Sequence, residues 1–272
     1  MPELAEVEVV RRNLQAWWAG RAASQVILHD ARALRAPDDA RALECMRRPV
    51  ERVVRRGKYL IVEFEGANGW ALIHFRMTGK IVRQPTPEAR FARLAWGIGP
   101  DEWLVFKDQR CLGGIEWIEQ GHWSQHPTFL AMGPEPDDWT PQDVLALSSS
   151  RASLKAKLLD QAVVAGIGNI AVCEVFWRLG MPPDLKCTEL DAQRASALVH
   201  ETRAYFDWLI EHECGPEVTY VQEDASVHPF SVYAREGEAC ERCGATIERV
   251  KVAGRSSYYC PECQARGSRN LP

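Results

Sequence analysis

With 272 residues, the chain is long enough for two domains of ordinary size, or for one large domain with a smaller attachment. A hydrophobic content of 46% and ten tryptophans are typical of a globular protein, and no uncharged apolar run reaches the roughly 18 residues that a bilayer requires. The net charge of −4 argues against a protein that coats nucleic acid by bulk electrostatics, although it is compatible with a local basic groove.

The start of the chain is acidic and lacks the basic region and apolar stretch of a secretory signal, so we expect a cytoplasmic protein. Four of the nine cysteines have the spacing of a metal site. The other five are scattered through apolar segments, where we expect reduced thiols rather than disulfides. These five are Cys45, Cys111, Cys173, Cys187 and Cys214.

The chain begins Met1-Pro2-Glu3, and methionine before a small residue is normally removed. Removal would give Pro2 a free secondary amine with a pKa of about 7.7 to 8, able to attack a carbon electrophile. Attack on a sugar carbon would give an iminium, and Glu3 and Glu6 could move protons beside it. The alternative is that these residues only begin a helix, because proline suits the first turn and acids suit the positive helix end.

The first part of the chain is expected to be a β-domain with one flanking helix. Apolar residues at three- and four-residue steps predict an amphipathic helix from Glu3 to about Trp18. Between Gln25 and Glu119, short β-rich runs separated by Gly, Asp and Pro predict an antiparallel β-sheet domain, which we place at residues 1–126. The runs are Val26–Leu28, Arg52–Val54, Tyr59–Phe64, Trp70–Phe75 and Trp103–Phe106.

Residues 127–150 contain four prolines and end in three serines, which predicts an interdomain linker. A helical pattern follows, and we place a second, helical domain at residues 151–235. Three helices are predicted in it. The first carries Leu154, Leu158 and Val163 on one face, and a break at Gly166–Asn169 ends it. The second spans Ile170–Leu179, and the third spans about Asp191–His212.

The last segment, residues 236–272, carries two Cys-x-x-Cys pairs separated by 16 residues. Each pair presents two thiolates to one ion, and four such ligands close a tetrahedral Zn²⁺ shell with no open position, so we expect one structural zinc. An iron–sulfur cluster is the alternative. Two strands between the pairs are predicted to form a hairpin with Arg255 at its exposed tip, where an arginine can bind phosphate. The predicted ligands are Cys240, Cys243, Cys260 and Cys263.

Taken together, these features resemble the formamidopyrimidine-DNA glycosylase / endonuclease VIII family of base-excision repair enzymes over nearly the whole chain. Each motif is weak alone, but their order and approximate spacing make the resemblance specific. The matching segments are Met1–Glu8, Arg55–Tyr59, His74–Gly79, Leu158–Gln161, Gly166–Ile170, Val232–Tyr233 and the four-cysteine finger.

The resemblance implies an α+β multidomain protein: an N-terminal antiparallel β-sandwich with a flanking helix, a helix-two-turn-helix domain and a zinc finger, which together hold damaged double-stranded DNA. It implies a monomeric glycosylase with AP lyase activity, acting through an N-terminal proline Schiff base on oxidised bases extruded from the duplex. The implied catalytic residues are Pro2, Glu3, Lys58 and Arg255, supported by Glu6 and Glu174. The implied DNA contacts are Met77, Arg110, Leu112, Asn169 and Tyr233.

The chain departs from the family pattern at positions that bear on substrate choice. Ala5 replaces a proline, Leu112 replaces an aromatic wedge residue, and residues 171–173 read Ala-Val-Cys where Tyr-Ala-Asp is usual. Residues 215–230 are also shorter and poorer in glycine than the lesion-capping loop of the family. We therefore expect intact chemistry with a shifted lesion preference.

Two other functions compete with this interpretation. One is a catalytically silent protein of the same fold that binds damaged DNA and uses Pro2 only to begin a helix. The other is a zinc-ribbon adaptor for another protein, which would bind no DNA and show no salt-dependent DNA affinity. Retention of Glu3, Glu6 and Lys58 favours the enzyme.

Overall fold

The structure is a computed structural model, and it describes residues 2–213, 215 and 229–266. Its α-helices are α1 (Leu4–Trp18), α2 (Asp39–Cys45), α3 (Pro127–Leu130), α4 (Pro141–Ala146), α5 (Leu154–Leu158), α6 (Asn169–Arg178) and α7 (Ala192–His212). Its strands are β1 (Gln25–Leu28), β2 (Leu34–Arg35), β3 (Val50–Arg56), β4 (Tyr59–Phe64), β5 (Gly69–His74), β6 (Gly79–Gln84), β7 (Ala92–Gly99), β8 (Glu102–Asp108), β9 (Gly114–Glu119), β10 (Glu248–Val252) and β11 (Arg255–Tyr259).

The chain divides into two compact units. Of the described residues, the first contains 2–130, 213 and 215, and the second contains 131–212 together with 229–266. The ranges 1–126, 127–150, 151–235 and 236–272 stay predictions; residues 127–150 contain the short helices α3 and α4. Within the described residues, no helix combines the length and the hydropathy that a membrane crossing demands.

Two sheets form the body of the first unit. One has four strands in the order β1-β7-β8-β6, and the other has five in the order β2-β9-β5-β4-β3. All neighbours are antiparallel except the two-residue strand β2, which runs parallel to β9. The predicted antiparallel β-domain is therefore confirmed, with one short parallel edge.

Aromatic side chains join the two sheets and helix α1. Trp18, at the end of α1, is fully buried and contacts Phe64 of one sheet and Trp96 of the other, at centroid separations of 5.7 and 5.1 Å. Phe75 and Phe106 meet in the same way at 6.3 Å. Burial of large aromatic surface is the main stabilising contribution here, at roughly 25 cal/mol per Å². Helix α1 is thereby held against both sheets, with its N-terminal end in a fixed position.

The predicted helix α1 and the five predicted strands are confirmed within a few residues, but β2, β6, β7 and β9 were not predicted. In β7, Gly97 and Gly99 interrupt the strand pattern of the sequence. In the structure, both lie beside a register shift in the pairing of β7 with β8. The pairing of β7 with β1 and β8 on its two sides outweighs the low strand propensity of glycine there.

The second unit contains α5, α6 and α7, close to the predicted positions. One prediction was wrong: Val163 does not share a helix with Leu154 and Leu158, because α5 ends at Leu158. The side chain of Gln161 accounts for this ending. Its amide oxygen accepts from the Gly166 N–H (2.9 Å) and its amide nitrogen donates to the Ile167 carbonyl (3.0 Å), so the chain turns instead of continuing the helix.

The C-terminal hairpin is the predicted pair of strands, β10 and β11. Val252 pairs with Arg255, which leaves a two-residue turn. Ala253 and Gly254 occupy it with φ values of +51° and +75°, the positive angles of a type I′ turn, whose twist matches that of the strands. Arg255 is exposed, as predicted, but it is the first residue of β11 and lies beside the turn rather than in it.

We expect Gly133→Ala to lower the free energy of unfolding by about 3 kcal/mol, because a β-carbon there would lie 2.6 Å from the carbonyl carbon and oxygen of Val163, which are main-chain atoms. Urea denaturation measures the effect. Gly121→Ala is the control, since its β-carbon would meet nothing within 4 Å and only its φ of +75° is unfavourable, at about 1 kcal/mol. Equal losses in the two variants would contradict the close approach at Gly133.

Candidate functional site

The start of α1 gathers the predicted nucleophile and two carboxylates. Pro2, Glu3 and Glu6 are all buried. Glu3 is the N-cap of α1 and forms a capping box with Glu6: the Glu3 side chain accepts from the Glu6 N–H, and the Glu6 carboxylate accepts from the Glu3 N–H at 2.9 Å. The capping box fixes the main chain directly after Pro2, so Pro2 is attached to a rigid segment.

Burial, together with the neighbouring charge of Glu3, raises the pKa of Glu6 from 4.5 to about 7, against the lowering effect of the main-chain hydrogen bonds. Near neutral pH, Glu6 is thus present in both protonated and ionised forms. A carboxyl group with this pKa can both donate and accept protons near neutral pH.

Lys58 is buried and lies in the two-residue turn between β3 and β4, where Arg56 pairs with Tyr59. Gly57, the first residue of the turn, has a φ of +57°, which glycine adopts without strain. Arg55 fixes this turn, because its Nη1 donates to the Gly57 carbonyl at 3.1 Å and its Nε donates to Glu8 of α1 at 3.2 Å. The lysine turn is therefore tied to the helix that carries Pro2.

Three predicted DNA contacts lie on two adjacent loops of the first unit. Met77 is half-buried in the turn between β5 and β6, and Arg110 and Leu112 are exposed between β8 and β9. Leu112 is 47% exposed, an unusual state for a large apolar side chain, and it agrees with a residue that inserts into a ligand. The structure brings these three residues together through Asp108, whose role in the loops was not predicted.

Asn169 and Arg255 are brought together in the second unit. Asn169 is the first residue of α6, where the helix dipole favours an anion. Its Nδ2 donates to the Ser256 carbonyl at 3.0 Å, directly beside Arg255. Lys155, which is 1% exposed, donates from Nζ to the same carbonyl (3.2 Å) and to Ser257 Oγ (2.6 Å). Two side chains from the helices therefore hold the hairpin that carries Arg255.

Glu174 occupies an internal position on α6. Its carboxylate accepts from the main-chain N–H groups of Ser231, Val232 and Tyr233 at 2.9, 3.0 and 2.8 Å. Burial raises the pKa of Glu174, and these hydrogen bonds oppose that rise. The Tyr233 ring contacts Tyr258 edge-on at 5.1 Å. Glu174 thus orders the segment that carries Tyr233.

The four predicted metal ligands converge at one point. Their sulfur atoms all lie within 4.8 Å of one another, with Cys240–Cys263 at 3.9 Å and Cys243–Cys260 at 3.4 Å. A tetrahedron of thiolates at the usual Zn–S distance of about 2.3 Å has edges of about 3.8 Å. The cysteines thus fit a Zn²⁺ ion. With four protein ligands, such an ion would have no position for substrate or water, which makes the site structural.

Sequence reasoning missed the residues that position the functional loops: Asp108, Lys155 and Gln161. Gln161 lies inside the matching segment Leu158–Gln161. A carboxylate, ammonium or amide that faces the main chain leaves no periodic pattern in the sequence. An aspartate two residues before Arg110 could have indicated a local side-chain-to-main-chain turn. His74 was also unassigned: burial lowers its pKa to about 3, helped by the charges of Arg76 and Lys58, so its imidazole is neutral.

Family models match three consecutive parts of the chain. The formamidopyrimidine-DNA glycosylase N-terminal domain matches residues 1–115, the H2TH domain of the same protein matches 130–216, and a zinc finger found in FPG and IleRS matches 237–266. The last match supports the assignment of the four-cysteine cluster as the site of one structural zinc.

Individual relatives agree with these matches. A formamidopyrimidine-DNA glycosylase of Ruegeria pomeroyi is 34% identical, over 97% of this chain and all of its own length, and that of Chloroflexus aurantiacus is 36% identical, over 97% and 98%. Lactococcus lactis formamidopyrimidine-DNA glycosylase, non-covalently bound to DNA with an AP site, superposes with a TM-score of 0.82 at 29% identity, covering 97% and 99% of the two chains. MutM in complex with DNA containing carbocyclic 8-oxo-G gives 0.84 at 30%, over 97% and 100%. The chain belongs to the formamidopyrimidine-DNA glycosylase family.

We expect the purified protein to contain one zinc per chain and Cys260→Ser to lose most of it, because a three-thiolate shell binds zinc much more weakly. Elemental analysis gives the zinc content, and amide hydrogen exchange should rise across β10 and β11. Cys45→Ser is the control, since Cys45 is a half-buried thiol outside the cluster. Full zinc content in Cys260→Ser would contradict the four-cysteine assignment.

We expect the stability that Glu6 contributes to decrease as the pH rises from about 4.5 to about 7. Because the pKa of Glu6 is raised on folding, the native state binds more protons than the unfolded state in this window, so unfolding becomes easier with rising pH. The difference between wild type and Glu6→Gln should change by up to about 3 kcal/mol across it. Urea denaturation at several pH values measures this. The exposed Glu44→Gln variant is the control, and a parallel pH profile for wild type and Glu6→Gln would contradict the raised pKa.

Proposed function

We propose that this protein is a DNA-repair glycosylase with AP lyase activity, which removes oxidised bases of the formamidopyrimidine and 8-oxoguanine class from double-stranded DNA. The observation that carries the proposal is the start of α1, where buried Pro2 directly precedes two carboxylates in a capping box. Membership of the family supports the same conclusion, because its relatives are named formamidopyrimidine-DNA glycosylase and two similar structures contain AP-site or 8-oxo-G DNA.

The proposed reaction uses Pro2 as a nucleophile after removal of Met1. The Pro2 nitrogen attacks C1′ of the damaged nucleotide, the bond from C1′ to the base breaks, and the base leaves with a proton. Opening of the sugar ring transfers a proton to O4′ and gives an iminium between Pro2 and C1′. The iminium acidifies C2′, whose proton is lost as the C3′–oxygen bond breaks. This β-elimination, followed by δ-elimination, cleaves the strand, and hydrolysis frees Pro2.

The carboxylates beside Pro2 would move these protons. We assign the sugar protons to Glu3, the N-cap residue nearest to Pro2. Glu6, with its pKa near 7, would support Glu3 in two ways: the capping box fixes the main chain of Glu3, and the Glu6 carboxyl is a second group near Pro2 that can hold a proton. Lys58, on the turn that Arg55 ties to α1, would bind a phosphate or the lesion.

The remaining site residues would hold the DNA. Asn169 and Arg255, joined through Ser256, would bind the phosphates beside the extruded nucleotide, and Tyr233, ordered by Glu174, would support that surface. Extrusion leaves a gap in the stack and costs a few kcal/mol. Met77 and Leu112 would fill the gap, and Arg110 would hydrogen-bond the unpaired base, which we expect to be cytosine.

A shifted lesion preference rests on the loop between β8 and β9. Leu112 stacks on a base less well than an aromatic residue would, and Cys111 beside it has a φ of +52°. Ala171, Val172 and Cys173 are buried inside α6, so these three departures change the packing of the core. In the range 215–230, the structure describes only residues 215, 229 and 230, so the proposed effect of the shorter segment lies outside the described residues.

We further propose that the protein works as a monomer on the chromosome, in the cytoplasm and associated with the nucleoid. One chain supplies every residue of the proposed mechanism, and a glycosylase acts where DNA is. Size-exclusion chromatography with light scattering, with and without an abasic duplex, tests the monomer. A dimer that persists on DNA would contradict it.

We expect borohydride to trap a covalent adduct between this protein and abasic DNA, since only an amine nucleophile forms a reducible iminium. An N-terminal tag or retained Met1 should abolish trapping, because the Pro2 nitrogen would then be an amide. Denaturing gel electrophoresis and intact-mass analysis measure the adduct. The same assay over duplexes with 8-oxoguanine, formamidopyrimidines, oxidised pyrimidines and abasic sites measures lesion preference.

Pro2→Gly is the matched variant, since it keeps a primary amine and should retain weak trapping. Glu44→Gln, an exposed change on α2, controls for handling. Tight, salt-dependent binding of damaged DNA without any adduct would instead establish the silent binding protein. Absence of DNA binding would favour the adaptor. An 8-oxoguanine preference equal to that of the relatives would contradict the shifted substrate choice but leave the mechanism intact.

A further inference from the structure

A single buried carboxylate organises the loop between β8 and β9. Asp108, the last residue of β8, is fully buried. Its Oδ2 accepts from the main-chain N–H groups of Leu112 and Gly113 at 2.8 and 2.7 Å, and its Oδ1 accepts from the Arg110 N–H at 3.1 Å. Three of the five residues that follow Asp108 before β9 are thus attached to one side chain.

The same carboxylate reaches the neighbouring loop. Thr78 directly follows Met77, and its hydroxyl donates to Asp108 Oδ1. The Thr78 oxygen also accepts from the Arg110 N–H at 3.2 Å, so Thr78, Asp108 and Arg110 form a closed triangle of hydrogen bonds. Gly79, the next residue, pairs with Asp108 in the ladder of β6 and β8. The residue after Met77 and the main chain of Arg110 are consequently linked through the Thr78 hydroxyl and the Asp108 carboxylate.

The two loops also touch so closely that no side chain fits between them. A β-carbon on Gly113 would lie 2.8 Å from the His74 carbonyl oxygen and 3.0 Å from that of Phe75. A buried carboxylate without donors would cost several kcal/mol, so the hydrogen bonds to Asp108 are retained only when both loops keep this arrangement. Movement of one loop therefore disturbs the bonds of the other.

We propose that Asp108 is a positioning residue that couples the Met77 turn to the Arg110–Leu112 loop, so that filling the gap in the stack and reading the opposite base occur as one event. The proposal rests on the proposed function, in which these three side chains insert into DNA. Asp108 itself touches no substrate. Its effect is on specificity: a base that Arg110 does not bind displaces Arg110, and Asp108 passes that displacement to Met77.

Asp108→Asn tests the proposal, because asparagine keeps the size but replaces one accepting oxygen with a donor that faces main-chain N–H groups. For a lesion duplex, we expect KM to rise about tenfold and the preference for lesion opposite C over lesion opposite A to fall toward one. Cleavage and trapping of a single-stranded abasic oligonucleotide should change less than about twofold, because it has no opposite base and no stacked gap.

Coupling is measured by a double-mutant cycle. Met77→Ala and Leu112→Ala should be non-additive in kcat/KM for the lesion duplex in the wild type, and additive when Asp108 is Asn. Additivity in both backgrounds would overturn the proposal. So would an Asp108→Asn variant that loses equal activity on single-stranded and duplex substrates and keeps the wild-type preference between opposite bases. Wild type that forms no adduct at all would refute the proposed function, a distinct result from either of these.

Two controls separate positioning from loss of folding. The first control is Asp143→Asn. Like Asp108, Asp143 accepts from a threonine hydroxyl (2.7 Å) and a main-chain N–H (2.9 Å), but it lies at the start of α4 in the second unit. This variant should leave base preference unchanged. If Asp108→Asn does not fold, Thr78→Val removes one donor to the same carboxylate and should lower the preference. Thr78→Ser keeps that hydroxyl and should restore it; equal preference in both Thr78 variants would count against the coupling.

Discussion

Buried carboxylates that accept main-chain N–H groups organise three of the proposed functional segments of this protein. Glu6 accepts from the N–H of Glu3, Asp108 from those of the β8–β9 loop, and Glu174 from those of residues 231–233. A carboxylate loses its hydration when it is buried, so it must be satisfied by donors at fixed positions. Main-chain amides are suitable donors because the backbone already restricts them, and the acid in turn fixes loops that have no regular hydrogen-bonding pattern of their own.

In the second unit, the zinc finger stabilises a hairpin that could not be stable alone. A hairpin of two five-residue strands buries too little apolar surface to be stable alone, and the four-thiolate shell supplies the missing stabilisation. The finger also packs Ile247 and two of its cysteines against Trp177 of α6. Lys155 and Asn169 then bond the Ser256 carbonyl, so the position of Arg255 depends on the metal shell, on helix packing and on two polar side chains at once.

Burial divides the departures from the family pattern into two groups. Ala5 and residues 171–173 are all buried, so they adjust packing inside helices. Leu112 is exposed on the loop between β8 and β9, which we propose to contact DNA.

Ion pairs reduce the positive charge of the basic segment near Lys58. Arg55 pairs with Glu8, and Arg52 pairs with Glu63. The formal count of cations therefore overstates the charge available to a phosphate.

The sequence by itself determined the helix α1, most of the strand positions near Tyr59 and Trp70, the zinc ligands and the family, because each is written in local spacing: a period of 3.6 or 2, or two cysteines three residues apart. Val163 shows the limit of such patterns, since one amide side chain from Gln161 ends the helix that the spacing predicted. Only the tertiary structure decided that Glu6 titrates near neutrality, that Lys155 supports Arg255 and that Asp108 joins two loops. These properties arise from desolvation and from contacts between residues distant in the chain, and neither leaves a periodic signal in the order of amino acids.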